Sequence, residues 1–278
     1  MKLLLCPGHA WAASTPMFYT LGHYNKYCHT GHVKEHGYLW HMYLTDTRDI
    51  KQASFFYRNM RNQIESTGQG WNQIKLSSMP DDFPMLEFFS RPFTIKKYCE
   101  YYERVWDNVK DQYESVADFS THLAGLSEEF LYKIKPKLLE YFDVKVIMLF
   151  RDPVKRFWSQ NGANKISKLR CHDRYAENYQ KYCNVFGKEN VHYVIMEDFW
   201  SGEISTLSHF LDYNIQRISE NVYWPLENEL KKYEHLQDQW QFEKPMPTEM
   251  IPKIRELLNP LYLQYEQIVG KIPERWAV

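Results

Sequence analysis

Net charge is almost absent from this chain: 34 Lys and Arg face 35 Asp and Glu over 278 residues, leaving −1 at pH 7. A global electrostatic grip on nucleic acid or on an anionic membrane is thereby excluded, and only a local basic pocket remains open to it. Glycine is scarce, at 11 residues, which excludes collagen-like and glycine-rich chains. The five cysteines (Cys6, Cys28, Cys99, Cys171, Cys183) are odd in number and scattered, with no Cys-x-x-Cys. A chain this long needs no disulfide framework, so the sequence predicts a reducing, cytoplasmic setting. No stretch approaches the about 18–20 apolar residues of a membrane span. The apolar start halts at Pro7-Gly8, short of the roughly 7–15 residues of a secretory core. What is abundant is aromatic: 21 Tyr, 16 Phe and 9 Trp make up 17% of the chain, enough to build a heavy core or to line a cleft with rings.

Buried strands are expected at residues 2–6 and 144–150 (VKVIMLF) and at 191–196, with a fourth at 116–120. Helices are expected from Pro16 toward Cys28, and over 95–113, 127–141 and 173–186, the last stopped by Gly187. Another begins near Pro153, and a helical stretch follows Glu197-Asp198 to Leu211. Residues 44–92 read as irregular, with one helix near 53–63 and a Ser/Gly/Asp/Pro-rich loop over 66–84; they form either an inserted surface segment or a substrate-facing loop. Strand, crossover helix and strand, repeated without a linker, predict one α/β domain over 1–278 with a central, mostly parallel sheet flanked by helices.

Two turns carry chemistry. The first, Pro7-Gly8-His9-Ala10-Trp11-Ala12-Ala13-Ser14-Thr15, joins the first strand to the first helix. Small residues let the backbone curl around an anion, and Ser14 and Thr15 add hydroxyl donors; an ordinary turn with a Ser or Thr cap has the same composition. The second, Arg151-Asp152-Pro153-Val154-Lys155-Arg156-Phe157-Trp158-Ser159, leaves the clearest strand. A guanidinium at a strand's carboxyl end suits a phosphate, and Ser159 lies about two helical turns on; the alternative is an Arg151–carboxylate pair beside a solvated basic face.

Together these turns resemble the family that transfers sulfuryl groups from 3′-phosphoadenosine 5′-phosphosulfate (PAPS). Its 3′-phosphate pattern, Arg-x-Pro-x-x-Arg-x-x-Ser, is met at Arg151, Pro153, Arg156 and Ser159. Residues 190–199, running on to Phe210-Leu211, are similar to its late strand, acidic turn and helix. Residues 246–276 look like its C-terminal helix pair and closing Trp, here Trp276. Lys34-Glu35-His36-Gly37-Tyr38-Leu39-Trp40 is similar to the Lys-Glu segment of the heparan-type and related members, in which the Glu takes the acceptor's proton. The resemblance implies a P-loop-like sulfotransferase fold, with the 5′-phosphosulfate on Ala12, Ala13, Ser14 and Thr15 and the 3′-phosphate on Arg151 and Ser159. It further implies Glu35 as base with His36 second, PAPS as co-substrate with PAP as product, a hydroxyl-bearing acceptor, and no required metal. Asp118 and His122 fall where the family has another acceptor-side segment, matched only in part; a plain strand end fits them as well.

The sequence departs from the family where it places a loop cation and a glycine: Trp11 and Ala13 stand there. His9, Lys26 and Lys34 are the candidate substitutes, needed because a cation stabilises charge developing on the departing oxygen. The run Cys28-His29-x-x-His32-x-x-x-His36 has zinc-like spacing but no second Cys pair, and histidines lining an acceptor cleft account for it better. The rival readings are a P-loop-type kinase, which lacks its Gly-x-x-x-x-Gly-Lys-Ser/Thr here, and a PAP- or PAPS-binding protein that no longer transfers.

Overall fold

The computed structural model describes residues 1–8, 14–31, 36–46, 92–161, 174–216 and 246–276. Its strands are β1 (Lys2–Leu5), β2 (Cys28–His29), β3 (Ser115–Asp118), β4 (Asp143–Phe150) and β5 (Val191–Ile195). They form one sheet in the order β2-β3-β1-β4-β5, every pairing parallel. Side chains alternate between faces along each strand. Leu3, Leu5, Val116, Val144, Val146, Met148 and Phe150 therefore join one apolar cluster, and Leu4, Cys6, Ala117, Ile147 and Leu149 join the other. Both faces are covered, as a parallel sheet requires.

The helices are α1 (Ser14–Phe18), continued by a π-helical stretch over Tyr19–Tyr24, α2 (Tyr38–Asp46), α3 (Ile95–Val109), α4 (Glu128–Tyr141), α5 (Pro153–Asn161), α6 (Tyr175–Phe186), α7 (Met196–Ser201), α8 (Ser205–Leu211) and α9 (Ile251–Val269). Helices α2 to α6 and α9 pack on the first cluster, and α1, α7 and α8 on the second. The result is the expected α/β arrangement, a central parallel sheet flanked by helices. Local chemistry sets the boundaries. Ser127 Oγ accepts from Phe130 N at 3.2 Å and starts α4, with Glu128 and Glu129 in its first turn. Gly187, at φ 89°, stops α6 where the sequence predicts a stop.

Four expectations change. The first helix does not reach Cys28: Lys26 sits at φ 54°, Asn25 Nδ2 turns back onto Thr20 O at 2.8 Å, and Cys28–His29 pairs with β3 instead. The 95–113 helix ends at Val109. Gly202, left-handed at φ 90°, divides the stretch after β5 into α7 and α8. The C-terminal pair is one long helix followed by a single turn, Glu274–Trp276. The helix expected over 53–63 and the loop over 66–84 lie outside the described residues. Among those residues Cys6, Cys28, Cys99 and Cys183 are free thiols, and no helix is long and apolar enough to cross a membrane.

The chain after β3 is held from behind by α6. Lys181 Nζ donates to Ala124 O at 2.8 Å, Leu126 O at 2.6 Å and Asn178 Oδ1 at 3.0 Å, and Tyr182 Oη donates to Leu123 O at 2.7 Å. Lys181→Met leaves two carbonyls without their charged donor. It is expected to lower unfolding free energy in urea by about 1–3 kcal/mol, whereas an unchanged midpoint would show that water replaces the ammonium freely.

Candidate functional site

In an open parallel sheet the loops at the strands' carboxyl ends diverge where strand order reverses, leaving a crevice. Here the chain leaves β1 for one side, building β2 and β3, and then crosses to the other side for β4 and β5. The reversal flanks β1. Gly8 makes a parallel bridge with Leu149, which brings the turn after β1 level with the end of β4, two residues short of Arg151. Gly8, at the start of the first motif, and Arg151, where the second begins, thus lie at one edge of the sheet. Ser14 is buried and Thr15 half-buried at the start of α1; His9, Trp11, Ala12 and Ala13 lie outside the described residues.

Arg151 is half-buried at the end of β4, its guanidinium carbon 5.3 Å from the Trp200 ring centroid and its carbonyl accepting from Tyr175 Oη at 3.3 Å. Burial lowers the Arg151 pKa, and neighbouring Glu197 opposes that. A guanidinium stays protonated through shifts of this kind, so a cation is held at the strand edge. Arg156 is buried one turn into α5, 5.9 Å over the Tyr175 ring, and Ser159 is half-buried one turn further on.

The backbone beneath Arg151 is fixed by groups that spacing alone did not reveal. Asp152, fully buried, caps α5 by accepting from Val154 N at 2.9 Å and receives Tyr262 Oη at 2.5 Å on the same oxygen, Oδ1. Asp152 N donates to Glu197 Oε1 at 3.2 Å, and Trp276 Nε1 donates to Glu197 Oε2 at 2.7 Å. Burial raises the pKa of both carboxyls, and these hydrogen bonds offset part of the rise. The acidic residue at 197 and the closing Trp were visible in the sequence; that they meet was not.

A second cluster lies at the end of β3. His36 Nδ1 accepts from Tyr38 N at 3.1 Å, so in the neutral ring the proton sits on Nε2, which lies 2.7 Å from Tyr102 Oη. Tyr102 Oη in turn donates to Ala117 O at 2.9 Å. Asp118 Oδ2 stands 3.5 Å from His36 Nε2 and receives Tyr98 Oη at 3.0 Å, while Oδ1 receives Ser120 N at 2.9 Å. His36 is 1% exposed; burial lowers its pKa, and Asp118 partly counters. Ser120 Oγ accepts from Gly37 N at 3.0 Å. On the other side of the Lys34-Glu35 segment, Gly31 has φ 75°, and a Cβ there would lie 2.0 Å from Tyr101 Oη, so only glycine fits. Lys34 and Glu35 themselves lie outside the described residues, but the chain is pinned at Gly31 before them and at His36 and Gly37 after.

Of the candidate cations, Lys26 is displaced from this edge. It precedes β2 and bonds Tyr113 Oη at 3.3 Å, just ahead of β3, so it sits at the amino ends of both strands, a strand's length from the crevice. His122 stacks on Trp40, with centroids 6.0 Å apart. Of the histidines in the zinc-like run, His29 packs edge-on to Tyr113 with its Nδ1 accepting from Gly31 N, His36 belongs to the cluster at the end of β3, and His32 lies outside the described residues.

Over its whole length the chain superposes on a sulfotransferase from Alicyclobacillus acidocaldarius, covering 100% of this chain and 99% of that one at a TM-score of 0.52 and 14% identity. It also matches the sulfotransferase domain of the curacin biosynthetic pathway (TM-score 0.45, 13% identity, 94% of this chain and 96% of that one). A third match is the sulfotransferase domain of the Synechococcus PCC 7002 olefin synthase (TM-score 0.46, 14% identity, 94% of each chain). The first of these gives the chain its fold, that of a sulfotransferase; the others add no further argument. No protein-family model and no curated protein sequence matches it.

Proposed function

We propose that the chain is a sulfotransferase that moves a sulfuryl group from PAPS to an acceptor hydroxyl on a carbohydrate or another small molecule. The observation that supports this reading is the Gly8–Leu149 bridge, which brings Gly8, at the start of the anion-loop candidate, level with the strand that ends before Arg151 although they lie far apart in sequence. A donor lying across that edge has its 5′-phosphosulfate against Ala12, Ala13, Ser14 and Thr15 and its 3′-phosphate against Arg151 and Ser159. The fold likeness supports the same assignment.

In the proposed reaction the acceptor oxygen bonds to sulfur as the bond from sulfur to the bridging phosphate oxygen breaks. The electron pair of that bond leaves with PAP, and the hydroxyl proton passes to Glu35. Holding both partners in line supplies much of the rate. His36 has both ring nitrogens engaged inside the protein, which fits it to hold the Glu35 segment in place better than to take the proton. With Lys26 at the far edge, His9 and Lys34 remain as substitutes for the loop cation. Trp11 at the cation position favours one second reading, a PAP-binding protein without transfer.

Calorimetric titration with PAP, against AMP as control, separates these cases. PAP binding at least tenfold tighter than AMP is expected, since a 3′-phosphate read by a charged fork is worth about 1.5–3 kcal/mol. Equal affinity for the two, or no binding to either, would sink the donor assignment. PAP binding with no turnover of PAPS across a hydroxyl panel would establish the second reading.

A further inference from the structure

The C-terminal segment reaches across the molecule to the turn that presents Arg151. Tyr262, midway along α9, donates to Asp152, the residue after Arg151. Trp276, in the final turn, donates to Glu197, whose other oxygen holds Asp152 N. Arg255 ties the two together: its Nη1 donates to Trp276 O at 3.3 Å, and its guanidinium lies 5.0 Å over the Tyr262 ring. Arg275 then fastens the final turn to α7, donating to Glu197 O at 3.2 Å and to Glu203 Oε1 at 2.7 Å. Two carboxyls are thus buried close together at the site's edge, a costly arrangement that the Tyr262 and Trp276 donors, from outside the turn, help the turn's own N–H groups to maintain.

We infer that Tyr262 and Trp276 are positioning residues for the donor site: through Asp152 and Glu197 they fix the backbone from which Arg151 projects, and so set affinity for the 3′-phosphate. Neither touches the nucleotide. A guanidinium that must meet two phosphate oxygens in parallel tolerates little rotation of its own Cα, and among the described residues the pairing of β4 with β5 stops at Phe150, just before it. The C-terminal segment supplies the restraint that the sheet no longer gives. The inference rests on the donor reading above.

The test is a mutant cycle in the full chain with PAP and AMP as probes. Tyr262→Phe removes one hydroxyl and keeps the ring; Trp276→Phe is the parallel variant. Tyr265→Phe is the control, because Tyr265 packs on Trp276 at 4.1 Å between centroids while its buried hydroxyl has no hydrogen-bond partner among the described residues. Tyr262→Phe is expected to weaken PAP binding about tenfold, to leave AMP binding unchanged, and to have no further effect when Arg151 is already alanine. Tyr265→Phe is expected to bind PAP as the wild type does. Equal weakening by Tyr265→Phe, or a Tyr262→Phe effect that persists without Arg151, would reduce the segment to ordinary packing and overturn the inference. Wild-type and Arg151→Ala proteins that bind PAP equally would instead overturn the donor reading on which it rests.

Discussion

Arg151→Ala is expected to raise the dissociation constant for PAP by about two orders of magnitude, roughly 3 kcal/mol, and to leave that for AMP within a factor of two or so. The size follows from what is removed. The guanidinium offers two parallel donors in a partly buried setting, where charge-assisted hydrogen bonds are strong because water competes poorly. Burial already lowers the Arg151 pKa, so the folded protein bears the cost of holding this cation whether or not an anion is present. An anion that pairs with it recovers part of that cost. Arg151→Lys keeps the charge and loses the fork, and an intermediate loss of about tenfold is expected. Isothermal titration reads both variants, with far-UV circular dichroism to show that they fold. Unchanged PAP affinity in Arg151→Ala would mean that the cation serves the protein's own groups, Glu197 and the Trp200 ring among them.

The backbone of this site was legible in the sequence where the sheet is fully buried. Residues 144–150 and 191–196 are apolar runs broken only by Lys145 and His192, and they form β4 and β5 within one residue of the expected ends. Strand β2 was not legible: two residues carry no periodicity, and the apolar pattern of Met17, Phe18, Leu21 and Tyr24 runs smoothly into Cys28. Only the positive φ at Lys26 and the side chain of Asn25 end the helix, and neither residue type announces that. The same limit applies to the aromatic surplus. Tyr98 and Tyr102 lie one helical turn apart on the buried face of α3, which marks them as core. Their hydroxyls nevertheless brace the end of β3, as those of Tyr175 and Tyr262 brace the end of β4. A phenol carries a polar handle on an apolar body, so a chain short of glycine and rich in tyrosine can hold its carboxyl-edge turns with core side chains. Spacing gives the face of the helix but never the partner of the hydroxyl.

Glu35→Gln is expected to lower kcat by about 10²–10⁴-fold while PAP affinity stays at the wild-type value. The amide keeps the size of the side chain and cannot accept the acceptor's proton, so the loss is confined to the step in which that proton moves. The neighbouring cluster makes the comparison clean. His36, next in the chain, is held by hydrogen bonds with Tyr38 and Tyr102, with Asp118 Oδ2 3.5 Å away, and Gly37 by one with Ser120, and none of these contacts involves the charge at position 35. The segment is therefore expected to keep its place in the variant. The same cluster also removes the obvious understudy. A His36 acting as base would have to give up a hydrogen bond inside a site where burial already disfavours its cation. Residual activity in Glu35→Gln should consequently lack an imidazole-like rise in rate between about pH 5 and 8. Single-turnover sulfuryl transfer to a hydroxyl acceptor, read beside PAP titration of the same preparation, separates the outcomes. Wild-type rates in the variant would move the base to another residue, and parallel losses of rate and PAP affinity would place Glu35 among the groups that hold the donor.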